Sequence, residues 1–403
     1  MSKLEKQKEI LSRLYQQRIL SQGLISTYLF LSEGFTERYC RIILKSLLDD
    51  KLIRKRTDVK PFCCYEITSK GINFLKKFGV TPLGVNLPDA FLPPHKIKID
   101  TQVAYHQLQL NAFVLRFDNE FPELDFEYYD EKFCSFFPNV RPDGMIQVGK
   151  TLYFLEMDMG TESRVRLVTK WNNYRQMLSS SFYTGMIEDI KVLFILNKDT
   201  KSRVKTIKKW VDTYLLDKVT SRFDIIIGSV DYLIDYLNED INEIKFFPRE
   251  LMQFSKVENF HSAYTEDFTF DAYLTCIEDD GIKRENGTYL EFLYDSYLFN
   301  SMYVFRKIKE LNRINASVET NIGRALKYLV LVPNEQAALE LLLLTDGFSP
   351  YLFFTTPDRL SYGIYSGFFQ IHRDGTVIHF SENNFQIPLP EKQFSNLMIK
   401  KSQ

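Results

Sequence analysis

Arg141-Pro142-Asp143-Gly144-Met145-Ile146-Gln147-Val148-Gly149-Lys150-Thr151-Leu152-Tyr153-Phe154-Leu155-Glu156-Met157-Asp158 is the stretch on which the reading of this chain turns. Residues 144–148 and 151–157 have the composition of strands, and Gly149-Lys150 between them is a tight turn. A hairpin of this kind brings Asp143 and Glu156 to one edge of a sheet. Asp158 stands two residues beyond Glu156 and so points to the same face. Three carboxylates on one rim suit a hard divalent ion, Mg²⁺ or Mn²⁺, which prefers oxygen ligands. The helix expected at 164–179 carries Lys170, a cation suited to negative charge developing on a phosphoryl oxygen. Tyr174 lies one helical turn further on the same face. The candidate catalytic residues are therefore Asp143, Glu156, Asp158 and Lys170, and the candidate metal ligands are Asp143, Glu156 and Asp158.

The segments around this hairpin alternate between the two periods. A helix is expected at 99–119 with His106 in its middle, and strands at 124–129 and 132–136 precede the hairpin. A buried strand at 191–196, a helix at 202–216, a strand at 223–228 and a helix at 230–237 follow. This order fits a mixed sheet with helices on both faces. His106 reads more readily as a satisfied interior or edge histidine than as a ligand.

Toward the N-terminus the pattern changes. Leu4, Ile10, Leu11, Leu14 and Tyr15 mark a helix over 3–20, Ser21-Gln22-Gly23 breaks it, and a second helix is expected at 24–31. Thr36 is a good cap for a third helix over 37–50. Tyr39, Ile43, Leu44, Leu47 and Leu48 form its inward stripe, with Arg38, Arg41 and Lys45 outside. Strands at 52–56 and 64–68 and a helix at 69–78 complete the order of a winged helix-turn-helix. In that geometry the third helix enters a major groove, which makes Thr36, Arg38, Tyr39, Arg41 and Lys45 candidate DNA contacts. Arg54, Lys55, Arg56 and Lys60 on the wing would meet phosphates. Charge agrees: residues 1–80 hold 16 Lys and Arg against 8 Asp and Glu, a balance of +8, which leaves −9 for the rest of a chain whose total is −1. A basic head on an acidic body is what a DNA-contacting head needs.

Pro82, Pro88, Pro93 and Pro94 punctuate residues 81–98, which read as a linker. The expected domains are thus 1–80, the winged helix; 99–247, the mixed sheet; and 248–403, a C-terminal α/β domain. The last of these echoes the second. Thr288-Tyr289-Leu290-Glu291-Phe292-Leu293-Tyr294-Asp295 can be laid over residues 151–158, with a strand at 270–274 before it. A helix at 296–311, a strand at 327–332, a helix at 335–344 and a strand at 351–354 come after. In that alignment Asp271 and Asp295 are kept and Leu293 replaces the glutamate, so the C-terminal domain reads as a degenerate second copy. Residues 360–379, with a turn at Arg373-Asp374-Gly375, read as a β-hairpin.

Composition excludes several classes. The chain has 403 residues, 45% hydrophobic and 26% charged, with 34 Phe and 23 Tyr, which is globular rather than disordered. Five cysteines without a CxxC pair suggest neither a disulfide framework nor a zinc site. The polar start from Met1 to Glu9 does not resemble a signal peptide, and no apolar run approaches the roughly 20 residues that span a bilayer. A cytoplasmic, non-membrane protein is expected. There is no phosphate-binding GxxxxGK[ST] loop, no GxGxxG after a strand, and no closely spaced histidine motif.

The arrangement Asp143…Glu156-x-Asp158 resembles the PD-(D/E)XK nuclease core. The wider string is similar to the replication-relaxation family of plasmid and mobile-element proteins. The matching pieces are the N-terminal winged helix, His106-Gln107-Leu108, Pro142-Asp143-Gly144, Leu155-Glu156-Met157-Asp158-Met159-Gly160-Thr161-Glu162, and Lys170 with Tyr174, over roughly residues 1–240. The nuclease pattern calls for a lysine two residues after the glutamate, where this chain has Asp158. Either Lys170 is a migrated substitute or the centre only binds metal. The resemblance implies a bacterial DNA-binding protein acting in plasmid replication or DNA relaxation, nicking DNA with Mg²⁺ or Mn²⁺ if the centre is active. Two other readings fit the same residues: a non-enzymatic initiator or transcription regulator on an inactive nuclease fold, and a restriction-like defence nuclease. The expected partners are double-stranded DNA, a second copy of the chain, and host or element replication proteins at the acidic C-terminal region.

Overall fold

Serine and threonine caps set where the N-terminal helices begin. In this computed structural model, which describes residues 2–80, 92, 94–132, 134, 137–160, 163–198, 201–242, 255–258, 268–276, 290–322, 327–362 and 366–379, helix α1 (Lys3–Gln16) opens on a capping box. The Ser2 hydroxyl accepts from the Glu5 amide, and the Glu5 carboxylate accepts from the Ser2 amide. The helix stops short of the expected residue 20. Arg18 takes a left-handed backbone conformation, φ 66°, and the chain leaves as a short strand, β1 (Leu20–Ser21). Ser21 then caps α2 (Gln22–Leu29), two residues earlier than the sequence pattern suggested.

Thr36 caps α3 (Glu37–Asp49), which buries Cys40, Ile43, Leu44 and Leu47 at helical spacing. That helix ends with Lys51 in the left-handed region, φ 58°. The Lys51 amide donates to the Leu48 carbonyl and the Leu52 amide to the Leu47 carbonyl, both at 2.9 Å. β2 (Ile53–Arg56) and β3 (Cys64–Ile67) pair antiparallel, β1 adds to the other edge of β3, and Thr68 caps α4 (Ser69–Lys77). One apolar cluster ties these helices together through Ile10, Leu14, Ile43, Leu47, Ile67 and Leu75.

The chain continues through α5 (Pro94–Ile97), α6 (Thr101–Glu120), β4 (Glu127–Asp130), β5 (Gly144–Val148), β6 (Thr151–Asp158), α7 (Arg164–Leu178), α8 (Ser181–Thr184), β7 (Asp189–Leu196), α9 (Lys201–Tyr214), β8 (Phe223–Gly228) and α10 (Val230–Ile241). β4, β5 and β6 pair antiparallel in sequence, and β7 lies parallel to β6. Gly149, at φ 54°, makes the two-residue turn between β5 and β6 possible. Of the strand expected at 132–136, residues 133, 135 and 136 lie outside the described residues; Lys132 is in a turn with Glu131, and the Cys134 amide donates back to the Glu131 carbonyl.

The chain divides into two compact units, residues 1–204 with 228–234 and residues 205–227 with 235–403. The basic head and the sheet β4–β7 thus share one unit. Buried polar contacts join them. Arg18 bonds Asp130 at 2.9 Å, Gln107 at 2.8 Å and Glu131 at 3.1 Å, and it is only 4% exposed. The Asn111 amide donates to the carbonyls of Gln17 and Ile19 at 2.9 and 2.6 Å. The linker expected at 81–98 falls largely outside the described residues.

The second unit holds β9 (Ser255–Glu258), β10 (Ala272–Cys276), β11 (Leu290–Ser296), α11 (Met302–Lys309), α12 (Leu311–Ile322), β12 (Lys327–Leu331), α13 (Glu335–Thr345), β13 (Leu352–Thr355), β14 (Phe369–Ile371) and β15 (Val377–His379). Its sheet runs in the order β15-β14-β13-β12-β11-β10-β9. β9, β10 and β11 pair antiparallel and β12 joins β11 in parallel, the same sequence of pairings as β4 to β7. β14 and β15 form a hairpin around Arg373-Asp374-Gly375, whereas Leu360 sits in a separate short helical turn, Arg359–Tyr362. Among the described residues no helix is long and apolar enough to cross a membrane.

Candidate functional site

Strand register places the two central carboxylates. Gly144 pairs with Leu155, so Asp143, just before β5, stands opposite Glu156 on β6. The Met157 amide donates to Asp143 Oδ2 at 2.8 Å, which fixes the aspartate against the neighbouring strand. Glu156 is 2% exposed. Its Oε2 lies 2.8 Å from Lys170 Nζ, and its Oε1 accepts from the Tyr174 hydroxyl at 2.6 Å. Both partners come from α7, one helical turn apart, as their spacing implies. The structure therefore brings Asp143, Glu156 and Lys170 into one centre with Tyr174.

His106 belongs to the same centre. Its Nε2 lies 3.2 Å from Asp143 Oδ2 and 3.1 Å from the Met157 carbonyl oxygen. Both neighbours can only accept, so Nε2 carries the proton here. Two oxygens thus converge on one point, and a polarised N–H stands where a cation could. Two carboxylates and a strand carbonyl fit Mg²⁺ or Mn²⁺, which binds through one or two carboxylates and keeps several waters, whereas the protonated Nε2 of His106 is not a ligand. The fit is to a sparse site: among the described residues, no three His, Cys, Asp or Glu side chains form a metal-holding group.

The charges in the centre are unequal. Burial, reinforced by Asp143, raises the Glu156 carboxyl to about 7 although Lys170 and Tyr174 pull it down. Burial also works against Asp143, but the His106 hydrogen bond, Lys170 and the Met157 amide together leave that carboxyl below its usual range. Burial pulls His106 down, and the Asp143 carboxylate and Met157 carbonyl outweigh it, so its pKa is raised. Two carboxyls with separated pKa values, one holding its proton near neutrality, are a feature of working acid–base sites.

Asp158 does not join them. It shares the face of Glu156, as strand alternation requires, but its carboxylate is taken by Arg203 at 2.6 and 2.8 Å and by the Gly160 amide at 3.1 Å. With both oxygens held by Arg203 and no place in the lining of the cavity beside Glu156, it is not offered to an incoming ion. It is removed from the candidate ligands and catalytic residues. The flanking Thr161 and Glu162 lie outside the described residues.

The head presents Arg38, Arg41, Lys45, Lys55 and Lys60 to solvent. Arg41 is steadied by Glu37 at 2.9 Å in a surface pair. The Thr36 hydroxyl caps α3 and so serves that helix first. Tyr39 is half-buried, its ring 5.8 Å from Phe30 and 5.5 Å from Phe35. Arg54 is about half exposed while bonding Glu66 at 2.7 and 2.9 Å. Arg56 is a correction to the expected wing contacts. It is 7% exposed, grips Asp58 through two bonds of 2.6 Å, pairs with Glu66, and donates to the Ile99 carbonyl at 2.9 Å. It pins the wing to the segment before α6 and has no face left for a phosphate.

The second unit contains a counterpart of the centre. Ala272 pairs with Tyr294, which sets Asp295 opposite Asp271 as Glu156 is set opposite Asp143. The Ser296 amide donates to Asp271 Oδ2 at 2.9 Å, repeating the Met157–Asp143 bond. Lys307 on α11 lies 2.6 Å from Asp295, and the Tyr328 hydroxyl donates to it at 2.5 Å. The expected alignment, which put Leu293 in the place of Glu156, is therefore out of register by two residues, and Asp295 holds that place. Unlike Lys170, whose side chain is 19% exposed, Lys307 is sealed at 2%.

The sequence placed His106 as a satisfied interior or edge histidine and did not join it to Asp143, and it passed over Arg203 and Arg56's structural role. His106 had a signal in the string His106-Gln107-Leu108. Arg203, the partner of Asp158, and the Ile99 carbonyl that Arg56 meets lie 45 and 43 residues away and had none. Residues 11–193 match the model of the replication-relaxation family. No curated protein and no solved structure gives a match to the chain.

Proposed function

From the match of residues 11–193 to the replication-relaxation family model, we propose that this chain is a DNA-binding protein of a plasmid or other mobile element that nicks or relaxes DNA during replication. In this reading the head is a winged helix-turn-helix and the β4–β7 sheet is a PD-(D/E)XK-like centre. The observation that carries it is the convergence of Asp143, Glu156, Lys170 and His106 at one sheet edge. A divalent ion, Mg²⁺ or Mn²⁺, held by Asp143 and Glu156 would lower the pKa of a water and neutralise phosphoryl charge. The chain's own groups prepare that site. Tyr174 and Lys170 fix both oxygens of Glu156, and the Met157 amide and His106 fix Asp143. Lys170 stands where a cation can meet a phosphate oxygen. Arg38, Arg41, Lys45, Lys55 and Lys60 supply the exposed charge that would hold duplex DNA, with counterion release making binding salt-dependent. A second copy of the chain, and replication proteins at the C-terminal region, are the further partners this reading carries.

One observation favours a non-catalytic initiator or regulator instead: the position two after Glu156, where the nuclease pattern has lysine, is Asp158 locked to Arg203. A nicking assay separates the two. Supercoiled plasmid carrying the gene's flanking DNA is incubated with Mg²⁺ or Mn²⁺ and wild type, Asp143→Ala or Glu156→Ala. Metal-dependent open circle, lost in both variants, is the expected result. Tight binding with no cleavage by wild type would leave the regulator.

A further inference from the structure

A cavity of about 330 Å³ opens over the centre, with Glu156 and Tyr174 among its lining residues. Its walls come from the segment before β5, Asn139 and Arg141, and from α7, Val165, Arg166, Lys170 and Asn173. A base that entered this space would have to leave its pair, because a paired base is stacked inside the duplex. A nucleotide on an unpaired strand has its base free to enter.

The wall chemistry suits that occupant. Arg141 and Arg166 are exposed at the cavity and offer charge to a backbone. Val165 is 73% exposed, an apolar surface on which a base face can rest. Asn139 and Asn173 carry amides able to meet a base edge. Asn139 holds a left-handed backbone, φ 64°, which turns the wall segment at that point. Single strands are bound by cations that track the backbone and by side chains, usually aromatic, on which the bases lie; here Arg141 and Arg166 would take the first part and Val165 the second.

We propose that this cavity receives an unpaired nucleotide, so that the substrate of the centre is single-stranded or locally melted DNA while the head holds duplex. The proposal rests on the reading that Asp143, Glu156 and Lys170 face a phosphodiester. It is tested by fluorescence anisotropy on the full-length protein without added metal. The probes are a labelled twelve-residue oligothymidylate and a labelled duplex of the same length. The variants are Arg141→Glu with Arg166→Glu, Val165→Asp, and a head variant with Arg38, Arg41 and Lys55 changed to Ala. The altered cavity residues are exposed, and melting curves confirm that each variant is folded. The expected result is at least tenfold weaker oligothymidylate binding in both cavity variants with duplex binding kept, and the reverse in the head variant. Unchanged single-strand binding in the cavity variants, or equal loss of both probes, overturns the proposal. Single-strand binding that depends on the cavity, in a wild type that nicks nothing, removes the cleavage reading and leaves this one standing.

Discussion

Glu156 is asked to be two things at once. Burial beside Asp143 favours its protonated form up to about 7, while holding a metal needs the carboxylate. For stability, the raised pKa means that the folded chain keeps a proton the unfolded chain releases above its usual 4.5. That contribution is present at low pH and is lost as pH rises through about 7. For function the sign is opposite. Metal-dependent nicking should rise with pH through about 7 and fall about tenfold per unit below it, following the ionised fraction of one carboxyl. A profile measured at saturating DNA and fixed Mg²⁺ that is flat from pH 5.5 to 8 would show that Glu156 is not the titrating ligand. Asp143, Glu156 and Lys170 were legible because hairpin pairing and helix periodicity are local rules. Asp158 and Arg56 were misread because alternation and charge say which face a side chain takes, not which partner will claim it, Arg203 in one case and Asp58 and Glu66 in the other.

Among the elements, α3 shows how far local signals reach. Thr36 and the stripe Cys40, Ile43, Leu44 and Leu47 announced its start and its buried face. Its end is less economical. The closing turn requires a left-handed residue, normally glycine, and this chain places Lys51 there at φ 58°. Lys51→Gly should therefore stabilise the protein by roughly 0.5–1 kcal/mol, the relief of Cβ strain exceeding the added freedom of the unfolded chain. Chemical denaturation with DNA absent is the measurement, and a loss of stability would mean that the lysine makes a compensating contact. The short strand β1 could not be read from sequence. Two residues carry no period, and what makes them a strand is Tyr65 and Cys64 arriving from β3.

Across the whole molecule the same strand pairing occurs twice, with different outcomes. The first centre keeps a partly exposed lysine beside a cavity, and the second encloses its lysine between the rings of Phe270 and Tyr303, 4.9 and 4.3 Å away. A buried ion pair broken from one side is costly, so Asp295→Ala should lower stability by about 3–5 kcal/mol, because Lys307 is left charged in an apolar setting. Asp143→Ala, at the open centre, should cost far less. Thermal melts of both variants beside wild type make the comparison, and equal losses would contradict the contrast between a sealed and an open copy. The echo was visible in the sequence as an order of elements, but its register was not, since shifting a strand by two residues keeps every side chain on its own face. The joint between head and sheet has a consequence of another kind. Arg18, in the head, is completed by Gln107, Asp130 and Glu131, in the body. A recombination event that exchanged the head alone would strand a buried guanidinium, so mosaics of this lineage should break elsewhere than between residues 18 and 130.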